Sequence, residues 1–411
     1  MAHSSARRRA GRDQDFRLLV TGGGTGGHTY PAVTVVAGLR ARLAADGRQA
    51  EVLWAGTAGS LEERVAAEAA IPFRAVAAGK LRRAGNPLRM LTPANVADMA
   101  RVPVGVAQAW RLVRRYRPDV VLATGGYVAV PVGVAAWLCR RPLVMHEQTT
   151  RLGLANRLLA RGAASVAVSS ESTLELLPAR ARARAVVTGN PVRPQVLAGR
   201  AGAAAAGLGW QGADPALPVV YVTGGAQGSA QINQLVKAIL PWLLERANVI
   251  HQCGAASLAG LREEHVRLPA RAAARYHLTG FVGAELPDVL ALADVVVSRS
   301  GAGTIAEITA LGRAAVLVPL ATSAGDEQRH NARHLVRAGA AVALLDEATP
   351  DGLRAALGPL LDDPARRAQV SAAARRLGRP EAASLLASAV LAAAGYRAGQ
   401  REGSAAARRG S

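Results

Sequence analysis

Short apolar runs bounded by glycine and polar turns recur along the chain, and stretches of helical spacing separate them. The first run, Arg17–Val20, predicts a strand, followed by a glycine-rich turn and a helix from Pro31 to about Ala45. Glu51–Ala55, Asp119–Ala123, Arg141–Met145, Ser165–Val168 and Ala185–Val187 read as further strands, with a loop at His146–Thr150. Strands alternating with helical segments predict a parallel, doubly wound sheet. A turn at Gly189-Asn190-Pro191 closes this series, and the Ala/Gly-rich stretch Ala198–Leu217 reads as a connector. Val219–Val222 opens a second series, continued by Val249–Ile250, His277–Thr279, Val295–Val297, Ala315–Val318 and Ala341–Leu344, then by helical spacing over Pro364–Ala394. The expected fold class is therefore α/β, with two Rossmann-like domains over 17–190 and 218–394. Residues 191–217 would connect them, between basic and low-complexity tails at 1–16 and 395–411. A ligand site is expected between the two domains, at the carboxyl ends of their strands.

Composition agrees with two buried cores: half of the 411 residues are apolar. Charge changes the picture more. The formal net charge is +21, and through Asn190 the chain carries 27 basic against 12 acidic side chains, so the first half is the basic half. Such a surface attracts nucleic acid or anionic lipid. Aromatic residues are too few, at 3%, to stack bases, and no recognition motif occurs, which argues against nucleic acid. The apolar tract Val128–Leu138 is too short to span a bilayer and contains Pro131 and Gly133. No signal peptide is visible, so peripheral membrane contact is expected. Cys139 and Cys253 are far apart and read as reduced and buried. No metal-ligand spacing emerges; Asp13 and Asp15 have an acid-x-acid spacing but fall in the expected tail. No cofactor is expected.

Three glycine loops carry the candidate chemistry. Thr21–His28 lies between a strand and a helix, where glycines let backbone approach a ligand and helix N–H groups attract negative charge. It is not a P-loop, since no Lys-Ser/Thr follows. His28 ends the loop, and a histidine can take a proton near neutral pH. Thr223–Ser229 repeats the arrangement in the second half, and Ser298–Thr304 is the third, leading to Glu307. Two helix N-termini can share the phosphates of a nucleoside diphosphate. Glu307 reads either as a ribose-binding carboxylate or as an acid in the first helical turn that steadies the dipole. The polar cluster Pro319–Asn331 after a buried strand suits sugar hydroxyls or an ordinary solvated loop.

With these loops stand Gly125-Gly126-Tyr127-Val128, His146-Glu147-Gln148, Gly189–Arg193, Gln227-Gly228 with Asn233, and Asp326 with Gln328 and Asn331. Together and in this order, from Arg17 to about Ala394, they resemble the MurG family. Its members are UDP-N-acetylglucosamine–N-acetylmuramyl-(pentapeptide) pyrophosphoryl-undecaprenol N-acetylglucosamine transferases. The resemblance implies a GT-B fold, UDP-N-acetylglucosamine as donor, lipid I as acceptor and inversion at the anomeric carbon. It implies a peripheral place on the cytoplasmic side of the cell membrane, with cell-wall and division proteins as further partners. The second half would hold the donor: Val282 backbone at the uracil, Glu307 at the ribose, Gln328 at the sugar, and Ala226, Ala302, Gly303 and Thr304 around the diphosphate. Arg193, Thr149, Thr25, Gly26 and Gly27 would complete the donor site. His28 or Glu147 would be the catalytic base.

Three positions depart from the family. Thr149 replaces an asparagine beside the expected sugar, Ala226 replaces a serine in the second glycine loop, and Gly79–Gly85 follows the acceptor loop only loosely. Ser229 could supply the missing hydroxyl. Lys80, Arg82, Arg83 and Arg89, interspersed with Leu81, Leu88, Met90 and Leu91, form the candidate membrane patch, or else a solvated basic face. Other readings of the chain are a UDP-sugar epimerase, a transferase for another lipid or small acceptor, and a silent UDP-sugar-binding regulator.

Overall fold

The computed structural model describes residues 15–79 and 92–396. The candidate membrane residues Lys80, Arg82, Arg83 and Arg89 lie outside that range. The chain divides into two compact units.

In the first unit, seven parallel strands form one sheet: β1 (Asp15–Thr21), β2 (Gln49–Gly56), β3 (Phe73–Ala75), β4 (Val120–Ala123), β5 (Leu143–Glu147), β6 (Ser165–Val168) and β7 (Ala185–Val187), in the order β3-β2-β1-β4-β5-β6-β7. Because helices cover both faces, the strands read as continuous apolar runs. Leu18, Val20, Val52 and Trp54 point to one face, against Val35, Leu39 and Leu43 of the helix Gly26–Ala45. Leu19, Leu53 and Val121 point to the other, against Ala109 and Val113 of the helix Pro93–Tyr116 and Val132 of the helix Ala129–Leu138. The three-residue edge strand β3 is too short to leave a periodic signal, and sequence reading passes over it.

The expected boundaries need correction. Asp15 and Phe16, assigned to the tail, begin β1. The described residues 383–396 belong to the first unit, although they follow the second in sequence. Leu386, Val390 and Leu391 of the helix Ala382–Ala393 are buried in the first unit's core, each worth about 1.5–3 kcal/mol of burial. Tyr396, also expected in a tail, stands edge-on to Phe16 and donates its hydroxyl to Asp46 Oδ2 at 2.8 Å.

The second unit comprises Gln148–Arg151 and Thr188–Ala382. Its six parallel strands are β8 (Val219–Thr223), β9 (Asn248–Gln252), β10 (Tyr276–Thr279), β11 (Val295–Ser298), β12 (Ala314–Leu317) and β13 (Val342–Ala343), in the order β10-β9-β8-β11-β12-β13. Val220 and Val222 face one core, Val219 and Tyr221 the other. The stretch expected as a connector is part of this unit. Val192, Val196, Ala204 and Trp210 are buried in its core, and Trp210 Nε1 donates to Ala274 O at 2.9 Å. Ala204 packs in that core and a Cβ on Gly199 or Gly212 would strike Pro287 O or Ala274 O, so the stretch is not a linker.

In both sheets the strand order reverses once, between β1 and β4 and between β8 and β11. Loops at such a reversal diverge to opposite faces and leave room for a ligand at the carboxyl ends of the strands. The three glycine loops of the sequence follow β1, β8 and β11, and Gly125-Gly126 follows β4.

A buried polar chain fixes the helix that leaves β8. His251 on β9 is fully buried, with Nε2 3.0 Å from Asn233 Oδ1 and Nδ1 2.8 Å from the Tyr276 hydroxyl. Asn233, in the helix Ala230–Arg246, donates to Cys253 O at 2.8 Å. Burial pushes the imidazole from 6.5 down to about 4. Between those values the unfolded chain binds the proton and the folded chain does not. The contribution is therefore fully present above pH 6.5 and is lost as pH falls through about 4. Urea unfolding across that window should show stability falling by up to ~3 kcal/mol from this group. A His251→Gln chain should lack that component; an unchanged pH slope would show that His251 does not supply it.

Candidate functional site

At the first reversal the helix begins earlier than the apolar pattern predicts. It starts at Gly26, so Gly26, Gly27 and His28 form its first turn, with Thr25 at its N-cap. The first N–H groups of a helix lack intrahelical partners, and Thr25 offers no side-chain cap to them. His28 Nδ1 lies 3.0 Å from Thr124 O at the end of β4. A carbonyl only accepts, so Nδ1 carries the proton in the neutral ring and Nε2 the lone pair. Thr124 Oγ1 in turn donates to His28 O at 2.7 Å. The loops after β1 and β4 touch through backbone, Gly23 N donating to Gly125 O at 3.3 Å. Gly126, at φ +82°, makes this possible, since a Cβ there would collide with Gly23 O.

Glu62 is a site residue that sequence reading missed. It is fully buried, although it lies in the first turn of an otherwise ordinary helix, Leu61–Glu68. Its Oε2 accepts from Gly24 N and its Oε1 from Thr57 N, both at 3.2 Å. One carboxylate thus splints the loops after β1 and β2, and a Cβ on Gly23 would strike it.

His146 and Glu147, expected in a loop, end β5 and are buried. Glu147 Oε2 accepts from Gly153 N at 3.0 Å and from Asn156 Nδ2 at 2.9 Å, and Asn156 Nδ2 also reaches His146 O at 3.2 Å. Glu147 therefore holds the turn that follows it, and Asn156 is a second residue the sequence reading missed. Thr149 falls in the second unit. Its hydroxyl donates to Arg151 O at 2.6 Å and accepts from Arg151 N at 3.4 Å. That hydroxyl closes a turn onto Arg151. Thr150 donates to Asn331 Oδ1 through Oγ1 at 3.1 Å, while Asn331 Nδ2 holds Ser300 O at 3.1 Å.

At the second reversal, Ala302, Gly303 and Thr304 open the helix Ala302–Leu311, capped by Gly301 with no side-chain bond. Glu307 is its sixth residue and no acid occupies its first turn, so the dipole reading of Glu307 is set aside. Its Oε1 instead accepts from Arg193 Nη2 at 3.0 Å. Burial pushes the Glu307 carboxyl up, against the opposing pull of Arg193. Arg193 and Glu307, assigned separately from the sequence, thus stand together. Val282 is buried, and its N–H donates to Gln252 Oε1 at 2.9 Å. The amide of Gln252 also donates to Gly225 O at 2.7 Å, so this unanticipated glutamine links the β8 loop to the Val282 backbone. Gln328 Oε1 accepts from Leu320 N at 2.9 Å. Ala226 is exposed in the β8 loop.

Arg299 lies in the third glycine loop, after β11. Its Nη1 donates to Gln231 Oε1 at 2.8 Å and to Val318 O at 3.0 Å, and its Nη2 to Ser229 Oγ at 2.8 Å. It ties the β11 loop to the β8 loop. Among the described residues no group of three His, Cys, Asp or Glu could hold a metal ion, and no helix is long and apolar enough to cross a membrane.

Residues 18–168 match the glycosyltransferase family 28 N-terminal domain, and residues 219–386 match the glycosyltransferase family 28 C-terminal domain. A relative from Desulforudis audaxviator is 38% identical over 374 residues, covering 89% of this chain and 95% of its own length. It is called UDP-N-acetylglucosamine–N-acetylmuramyl-(pentapeptide) pyrophosphoryl-undecaprenol N-acetylglucosamine transferase. A relative of the same name from Salinibacter ruber is 39% identical over 384 residues, covering 92% of this chain and 96% of its own length. Among solved structures, MurG of Acinetobacter baumannii is similar with a TM-score of 0.70 at 24% identity, covering 92% of this chain and 99% of that one.

The Glu62 splint generates a stability test. Glu62→Ala takes the acceptor away from the partly buried N–H groups of Gly24 and Thr57, which should cost on the order of 1–2 kcal/mol in urea unfolding. Glu62→Gln keeps one carbonyl oxygen and should cost less. Equal, negligible losses in both would show that the carboxylate does not hold the loop.

Proposed function

The chain belongs to glycosyltransferase family 28, and from that membership we propose that it transfers N-acetylglucosamine from UDP-N-acetylglucosamine to lipid I. Lipid I is undecaprenyl-pyrophosphoryl-N-acetylmuramyl-pentapeptide, and the product is lipid II for peptidoglycan synthesis. The observation that carries this reading is that relatives of that one name match through both units at more than a third identity. The fold is GT-B, two Rossmann-like domains, and the enzyme is a UDP-N-acetylglucosamine-dependent hexosyltransferase. The relatives favour this reading over an epimerase, a small-molecule transferase or a silent regulator.

The donor belongs to the second unit in this mechanism. The N–H groups at Ala302, Gly303 and Thr304 and the β8 loop around Ala226 receive the diphosphate. Glu307 accepts from the ribose hydroxyls. The N–H of Val282 is already committed to Gln252, so the Val282 carbonyl is the group left to meet the uracil. The Gln328 amide nitrogen faces the sugar, its oxygen being held by Leu320 N. The family resemblance also assigns Thr25, Gly26 and Gly27 to the donor. The acceptor hydroxyl attacks the anomeric carbon, the bond to UDP breaks with inversion, and the hydroxyl proton passes to His28 Nε2. Positioned N–H dipoles stabilise the departing diphosphate without reorganising. Glu147, engaged with Gly153 and Asn156, orients the acceptor side instead of taking the proton.

Incubation with UDP-N-acetylglucosamine and lipid I should yield a disaccharide lipid. His28→Ala should lower turnover about 10²- to 10⁴-fold with UDP affinity nearly intact. Turnover close to wild type would remove His28 as the base, and a collapse confined to Glu147→Gln would move the role there.

The enzyme works at the cytoplasmic face of the cell membrane as a peripheral protein, its basic first half toward anionic lipid. Each basic group near such a surface contributes about 1 kcal/mol, screened by salt. Neutralising Lys80, Arg82, Arg83 and Arg89 together should reduce flotation with anionic liposomes. Equal flotation of that variant and the wild type would remove this segment from the contact.

A further inference from the structure

The family's serine in the second glycine loop is Ala226 here, yet a serine stands three residues on. Ser229 is the N-cap of the helix Ala230–Arg246. Its Oγ accepts from Ile232 N at 3.4 Å and from Arg299 Nη2 at 2.8 Å. A hydroxyl has two lone pairs and one proton. With both acceptor positions engaged, the proton is left to donate, at the end of the loop that follows β8 at the strand-order reversal.

Arg299 adds charge to this hydroxyl. Its guanidinium is half-buried, and its hydrogen bonds go to Gln231 Oε1, Val318 O, Pro319 O and Ser229 Oγ, all neutral acceptors. Burial alone pulls it below its ordinary value, with no carboxylate opposing the change. A half-buried guanidinium that is hydrogen-bonded, among the described residues, only to neutral groups favours an arriving anion. Arg193 is the arginine assigned to the donor from the sequence, and its charge is already met by Glu307.

We propose that Ser229 donates to the donor's diphosphate the hydrogen bond that Ala226 cannot make, with Arg299 orienting that hydroxyl and supplying the unmatched positive charge. This rests on the reading that the second unit binds a UDP-sugar. The hydroxyl has moved from the middle of the loop to its end, and the arginine from the neighbouring loop holds it ready as a donor. The pair selects for a nucleoside diphosphate over the bare nucleoside.

Calorimetric titration of the full chain with UDP and with uridine tests this. Ser229→Gly removes the hydroxyl but keeps a good N-cap residue, so the melting temperature should hardly move. The variant should bind UDP about 10- to 150-fold more weakly, the effect of one lost hydrogen bond to a charged group, and uridine as tightly as the wild type. Adding Ala226→Ser to that variant should restore UDP binding. A Ser229→Gly chain with wild-type UDP affinity, or one that loses UDP and uridine in equal proportion, would overturn the role of Ser229. Failure of Ala226→Ser to restore UDP binding would overturn the exchange between the two positions. A wild-type chain that binds neither ligand would instead overturn the donor-site reading on which the inference rests.

Discussion

Backbone must touch backbone where the loops leave the central strands, and the candidate site depends on that contact. After β1 and β4 the chain turns away on opposite faces, and the two turns meet at Gly23, Gly125 and Gly126 without side chains between them. After β8 and β9 the same contact recurs, where a Cβ on Gly228, at φ +74°, would collide with Cys253 O. Such proximity brings helix N-termini to the strand ends, where their unsatisfied N–H groups can meet negative charge. A methyl group at Gly126 or Gly228 would push those termini apart before it affected any ligand contact.

Contacts of this kind hold only if the polar groups around them are satisfied, and buried side chains do that work in both units. Glu62 accepts from the loops after β1 and β2, Glu147 and Asn156 hold the turn after β5, and Gln252 joins the β8 loop to Val282. Asn331 bridges Thr150 and Ser300. Each is expensive to bury alone and favourable once every hydrogen bond is made. The result is a set of loops fixed before any substrate arrives, which is the condition for dipoles to stabilise developing charge without rearranging.

Charge is distributed unevenly among the residues assigned to the donor. Glu307 and Arg193 neutralise one another, whereas Arg299 is hydrogen-bonded only to neutral groups. The proposed donor site thus combines a matched ion pair with a cation held by neutral groups beside the β8 loop. The histidine of the first unit is oriented differently again, by a carbonyl that fixes which ring nitrogen keeps the proton.

The sequence by itself determined the α/β class, the two sheets and the three glycine loops, because fully buried parallel strands leave apolar runs and their turns leave glycines. His28, Glu307 and Gln328 were visible as polar residues beside such turns, and the family was visible in the order of the motifs. Boundaries were less legible. The terminal helix carries the same apolar spacing whichever core it joins, so only the tertiary structure could return Leu386 and Val390 to the first unit. The Ala/Gly-rich stretch before β8 looked like a linker because small residues suit both flexible chain and tight packing. Glu62, Asn156, Gln252 and Arg299 left no periodic signal. Each acts on backbone groups distant in sequence, through hydrogen bonds that exist only once the strands have paired and their loops have been brought side by side.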